Sequence, residues 1–177
     1  MILFSRFRPQ LPELPDPARE ALALAKGERV LAAAVDDLSG SWVVATTRGL
    51  SVVSRQAERL LQRPWHLVDA GVWQHETFQL TVTWVDAQRP VQWTFREQQT
   101  LLPEVLRERV QASVVLTTRL TVGERRSARV AIRKDLATGE LLSQTILGRG
   151  VRGDDPHVRE QVAGALADLE DQVGLHR

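Results

Sequence analysis

The hexapeptide Gly148-Arg149-Gly150-Val151-Arg152-Gly153 is the first candidate for chemistry, because it spells G-x-G-x-x-G between an expected strand and an expected helix. In a dinucleotide-binding unit such glycines let backbone amides approach a pyrophosphate at a helix N-terminus. That unit also needs a parallel strand after the helix, and only Leu175-His176-Arg177 follows. Asp154 and Asp155 stand where the phosphate would need the positive end of the helix. The acid that holds the ribose belongs at a strand end, whereas Glu170 and Asp171 fall inside the helix. The hexapeptide reads as a flexible connection, and no cofactor is expected.

His66, His75, His157 and His176 include no i, i+4 pair that could grip a metal from one helix face. His66 with Asp69 or Glu76 is the arrangement a metal or acid–base role would use. The positions fit exposed strand and turn histidines better, so no metal is expected. Ser39, Ser51, Ser54, Ser113, Ser127 and Ser143 include no Gly-x-Ser-x-Gly elbow. Ser113, next to Val114 on an apolar stripe, reads as a small packing residue. Asp36-Asp37 in Asp-Asp-Leu-Ser-Gly is turn chemistry before it is a cation site. With no cysteine to act as nucleophile or thiolate ligand, no catalytic residue is expected.

What remains is surface. Of five tryptophans, Trp84 and Trp93 fall on apolar strand faces and belong to the core, while Trp42 and Trp65 could cover one end of a barrel. Trp73 is a candidate partner anchor, because tryptophan is favoured at binding hot spots. Arg125, Arg126, Arg129, Arg133 and Lys134 form a basic run of the kind that meets anionic lipid or nucleic acid. The simpler reading is a solvated outer face neutralised by the acidic last helix. Arg129 and Arg133 stay as candidate contacts.

These residues need elements to hold them. Four prolines from Pro9 to Pro17 make an extended lead-in, and Asp16-Pro17 should cap a short helix over Ala18–Ala25 that stops at Gly27. Strands are expected at Glu28–Val35, Ser41–Thr47, Leu50–Arg55 and Trp65–Gln74, with Gln56–Arg63 a loop. Phe78, Leu80, Val82 and Trp84 alternate with Thr77, Gln79, Thr81 and Thr83, and Val91, Trp93 and Phe95 repeat the pattern. That alternation predicts antiparallel strands with one buried and one solvated face. Leu102, Val105, Leu106, Val110 and Val114 line one stripe of a helix over Leu101–Thr118 that should cover that face. A hairpin of Ser127–Asp135 and Leu141–Leu147 follows, then a helix from Asp155-Pro156 with Val158, Val162, Ala165, Leu166, Leu169 and Val173 on its stripe.

The succession of short strands closed by one amphipathic helix, with Gly40-Ser-Trp-Val-Val-Ala-Thr-Thr-Arg-Gly-Leu50 and Arg63-Pro-Trp-His-Leu-Val-Asp-Ala-Gly-Val-Trp73, resembles bacterial pleckstrin-homology-like domains. The nearest likeness is to an uncharacterised actinobacterial protein family. The resemblance spans Glu28 to Thr118 and implies an antiparallel barrel or curved sheet with a binding or assembly role. It carries no catalytic residues. The hairpin and last helix would elaborate that plan.

The chain of 177 residues, 43% hydrophobic, 25% charged and with a net charge of +1, is long enough for a core and too evenly charged to call for nucleic acid. It is expected to be one α+β domain: lead-in 1–27, barrel core and helix 28–118, extension 119–177, with Gly123–Arg126 as the one plausible internal boundary. No apolar run approaches the roughly 20 residues of a membrane helix. The opening Met1-Ile-Leu-Phe-Ser-Arg-Phe-Arg is not built like a secretory signal, so the cytoplasm is expected and membrane contact is not. Phe4 and Phe7 should dock on this protein or on a neighbouring copy. The sum is a non-enzymatic binding or assembly module that works on itself or another protein, with a homo-oligomer expected. A small-ligand or lipid binder using one barrel end is the alternative, and an unrecognised hydrolase a distant third.

Overall fold

A computed structural model describes residues 13–175, so Phe4 and Phe7 lie outside the described residues. The protein is α+β, with three antiparallel sheets and three α-helices among those residues. Strands β1 (Val30–Val35), β2 (Trp42–Thr46), β3 (Gly49–Val53) and β4 (Arg59–Pro64) form a four-stranded meander. Strands β5 (Val68–Gln74), β6 (Gln79–Trp84) and β7 (Val91–Thr94) form a second, three-stranded sheet. Helix α2 (Leu102–Ser113) follows, after α1 (Asp16–Leu22) at the start. The third sheet has the order β10-β9-β8, from β8 (Val114–Thr121), β9 (Ser127–Lys134) and β10 (Leu141–Leu147), and α3 (Pro156–Gln172) packs on it.

The main core is shared by the first two sheets and α2. Ala32, Ala34, Val43, Ala45, Leu50 and Val52 from the first sheet meet Leu80, Val82, Trp84, Trp93 and Phe95, with Leu102 and Leu106 of α2. The first sheet is buried on its other face too, where Ala33, Val44 and Val53 pack against Leu14, Ala18 and Leu22. Gly71 explains how α2 comes so close to β5: a Cβ there would lie 2.2 Å from a methyl of Leu106. The outer face of the second sheet carries the expected polar residues, with Gln92 donating to Thr81 across β6 and β7.

Among the described residues the strands do not close into a barrel. Between β1 and β7 the seam is held by the Asp37 amide on the Thr94 carbonyl and by side chains. Gln98 both donates to the Val35 carbonyl and accepts from its amide, the pair of bonds a strand neighbour would make.

Several expectations need correction. Gln56–Arg63 is largely strand β4, an edge strand that turns only Leu61 toward the core and so keeps a polar sequence. Trp65–Leu67 is a 3-10 turn, and the strand starts only at Val68. The helix over Leu101–Thr118 ends at Ser113, where Val114-Val115 begin a β-branched run that pairs with β9 instead. Val105, Val110 and Val114 are only half-buried. Phe78 is 44% exposed, outside β6, with a left-handed backbone at φ 55°. Helix α1 has Pro15, not Asp16, at its N-cap, and it stops at Ala23 in the left-handed region, before Gly27. Gly123–Arg126 is the turn joining the paired strands β8 and β9, not a boundary between units.

Candidate functional site

Strand β9 places Arg129, Ala131 and Arg133 on one face and Val130 and Ile132 on the other, as alternation requires. Val130 and Ile132 meet Leu169 of α3. The acidic helix therefore covers the opposite face from the arginines and does not neutralise them. This overturns the solvated outer face, and it removes Arg133 as a partner contact.

Arg133 is 2% exposed. Its Nη2 donates to the Trp65 carbonyl at 2.8 Å and the Val68 carbonyl at 3.0 Å, and its Nε and Nη2 reach Ser113 Oγ at 3.1 and 2.6 Å. Ser113 in turn donates to the Val110 carbonyl. Burial pushes the guanidinium down to about 10, opposed by the nearby Asp69 charge, so it remains protonated at neutral pH. One buried cation thus ties β9 to the end of α2 and the start of β5. Ser113, read from the sequence as packing, is its hydroxyl partner.

Arg129 is half-exposed and forms an ion pair with Asp69 of β5. Directly across the ladder from Arg129 stands Arg119, whose Nη2 donates to Ser127 Oγ at 3.2 Å. Asp69, Arg119, Ser127, Arg129, Ile146 and Gly148 line a groove of about 250 Å³. A hollow of about 60 Å³ shares Asp69, Arg129 and Ile146 with the groove and is lined also by Arg133. The basic run was legible in the sequence; its arrangement around Asp69 was not, because Arg119 lies outside it.

A larger cleft of about 390 Å³ lies between the first sheet and the β9–β10 turn, lined by Glu28, Arg48, Ser51, Arg63, Asp135 and Ala137 among others. Its charges are engaged in holding the fold. Glu28 accepts from Thr46 and the Ala25 amide, and Arg48 donates to the Lys26 carbonyl. Arg63 forks onto Asp86 while its guanidinium sits 4.9 Å from the Trp84 ring centre. The hydrogen bonds from Arg63 hold the Asp86 carboxyl below the usual range.

Trp73 is half-buried at the rim of the core, stacked on Phe95 with ring centres 6.5 Å apart. His75 and Phe78 present edges to it at 6.0 and 6.5 Å, and Trp73 Nε1 donates to His75 Nδ1. Trp65, expected to cover a barrel end, is fully buried and donates to the Thr46 carbonyl. Trp42 packs on the α1 side of the first sheet.

Asp36 is buried and accepts from the Ser39 amide and hydroxyl and from the Thr94 amide. His66 is buried rather than exposed, and Nδ1 has no hydrogen-bond partner among the described residues. Desolvation holds its pKa below 6.5 against the pull of Asp135. Asp69 is committed to Arg129, so it does not join His66, and no group of three or more metal-ligating side chains gathers among the described residues. In the Gly148–Gly153 segment, the Gly148 amide bonds to the Ser127 carbonyl, Asp154 pairs with Arg152, and Asp155 caps α3 by accepting from the His157 amide. Among the described residues no helix is long and apolar enough to cross a membrane.

No family model, curated protein or solved structure matches this chain.

Proposed function

We propose that the chain is an elaborated pleckstrin-homology-like domain acting as a non-enzymatic binding and assembly module. The order of elements supports the first half: a four-stranded meander, a three-stranded meander and a helix build one shared core. The observation that carries the second half is Phe78. The residue is 44% exposed on a left-handed backbone, with its ring beside the half-buried Trp73. Such a backbone is unfavourable for a bulky residue, and strained positions of this kind gather where a surface is used. Tyrosine, tryptophan and phenylalanine are also enriched at protein interfaces relative to the rest of the surface. The first partner is a second copy, since a two-fold interface needs only one self-complementary patch.

Sedimentation velocity over a concentration series tests this. The wild-type chain associates and Phe78→Asn does not. A wild-type chain that stays monomeric throughout removes self-assembly. The second reading, small-ligand binding, is favoured by the arginine-lined groove beside Asp69 and not by an end of the strand layers.

A further inference from the structure

We propose that the groove between β5 and the β8–β9 face binds a dianionic phosphoryl group, that of a small phosphomonoester. The proposal rests on the small-ligand reading and gives that ligand its chemistry.

The register of the third sheet carries the argument. Arg119 and Arg129 are direct cross-strand partners on one face, and like charges so placed repel each other. Arg133 follows two positions beyond Ala131 on the same face of β9. Against these three arginines the groove and its inner hollow offer, among the described residues, one carboxylate, Asp69. Two positive charges are left over in a concave site. A phosphomonoester carries between one and two negative charges at neutral pH, roughly −1.5 to −2, which matches that excess.

The donors fit the same ligand. Asp69 occupies part of the Arg129 guanidinium, and Arg133 is spent on Trp65, Val68 and Ser113. Arg119 is exposed, spends one donor on Ser127, and has no ion pair among the described residues. Its remaining N–H groups are a fork of the shape that phosphate oxygens accept. Ser127, accepting from Arg119, keeps its own O–H to donate. The bond from the Gly148 amide to the Ser127 carbonyl fixes that serine in place. A side chain on Gly148 would run into the same carbonyl, at 2.2 Å, so the first glycine of G-x-G-x-x-G is needed for close approach of two backbones. Ile146 supplies the apolar wall. A groove of about 250 Å³ admits a phosphate with a small organic group, whereas a nucleic-acid backbone would need an extended track.

The test is an amide-resolved NMR titration of the full chain with inorganic phosphate, set against sodium chloride at matched ionic strength. Saturable shifts confined to the surroundings of Asp69, Arg119, Ser127 and Arg129 are expected. Arg119→Gln should weaken phosphate binding about tenfold, the loss of one charge-assisted contact. Arg125→Gln, in the turn outside the groove, should leave it unchanged. Shifts that do not saturate, equal shifts with chloride, or equal weakening by the two variants would overturn the proposal. Phosphatidylcholine vesicles with and without a phosphatidylinositol monophosphate separate the sources. Arg119-dependent binding to the doped vesicles that exceeds free phosphate assigns a lipid headgroup, and no such excess assigns a soluble ester. Tight binding of single-stranded RNA that survives Arg119→Gln also overturns the site. Self-association through Phe78 has a separate readout, so its failure leaves this result standing.

Discussion

Ser113, the last residue of α2, receives the Arg133 guanidinium through both Nε and Nη2, at 3.1 and 2.6 Å. A cation buried without a direct carboxylate contact is tolerable only where its donors are satisfied by fixed dipoles. Here those dipoles are the Ser113 hydroxyl and the carbonyls of Trp65 and Val68.

Replacing Arg133 should therefore be costly. Arg133→Leu leaves the two carbonyls without their donor and should destabilise the chain by about 2–4 kcal/mol. Arg133→Lys should recover only part of this, because a compact ammonium cannot span the serine and both carbonyls. Ser113→Ala should cost somewhat less, about 1.5–3 kcal/mol, because it leaves Nε of a buried cation without its acceptor and takes one donor from the Val110 carbonyl. Urea unfolding midpoints check the ranking; Arg133→Leu at wild-type stability would contradict it.

Asp36 and Asp37 are neighbours with unequal roles. Asp36 is buried with three bonds, one reaching the Thr94 amide on β7, so Asp36→Ala opens the turn and the seam between the two sheets together. A loss of about 2–3 kcal/mol is expected. Asp37 accepts from the exposed Arg96 amide, and Asp37→Ala should cost under about 1 kcal/mol. Thermal unfolding of the pair provides the comparison.

Phe78→Asn should separate stability from association. Truncating a buried phenylalanine costs about 3–5 kcal/mol. Asparagine accepts the left-handed backbone at φ 55° more readily, which offsets the lost edge contact with Trp73. The variant should unfold within about 1 kcal/mol of wild type while losing self-association. A loss as large as that of a core phenylalanine would show the ring to be structural.

His66 should make the fold sensitive to mild acid. Desolvation is the largest cause of its lowered pKa, reinforced by Arg133 and opposed by Asp135 and Glu140. The unfolded chain then takes up this proton at a higher pH than the folded chain does. The contribution is whole above the ordinary value of 6.5, declines as pH falls through it, and levels off below the folded-state value. Denaturant midpoints on both sides of 6.5 should show that decline, and His66→Asn should flatten it. A wild-type midpoint that rises on acidification would refute the assignment.

The α+β class and the elements with long, unambiguous periods were legible from residue order alone. The alternation of Leu80, Val82 and Trp84, the stripe on α3 and the Asp155 cap all follow from local geometry, since one face of each element had to leave water. Edges and junctions were not legible in this way. β4 buries too little to show a period, and Val114 satisfies the helical stripe and a β-branched strand equally well, so pairing with Arg133 decided it. The same holds for the candidate sites. A run of arginines reads as one basic surface, yet alternation and register send Arg133 inward to Trp65 and Ser113 and set Arg129 against Asp69. They also place Arg119, ten residues before Arg129, directly across from it. Burial and charge pairing at those positions depend on which strand lies alongside, and one strand's sequence does not contain its neighbour.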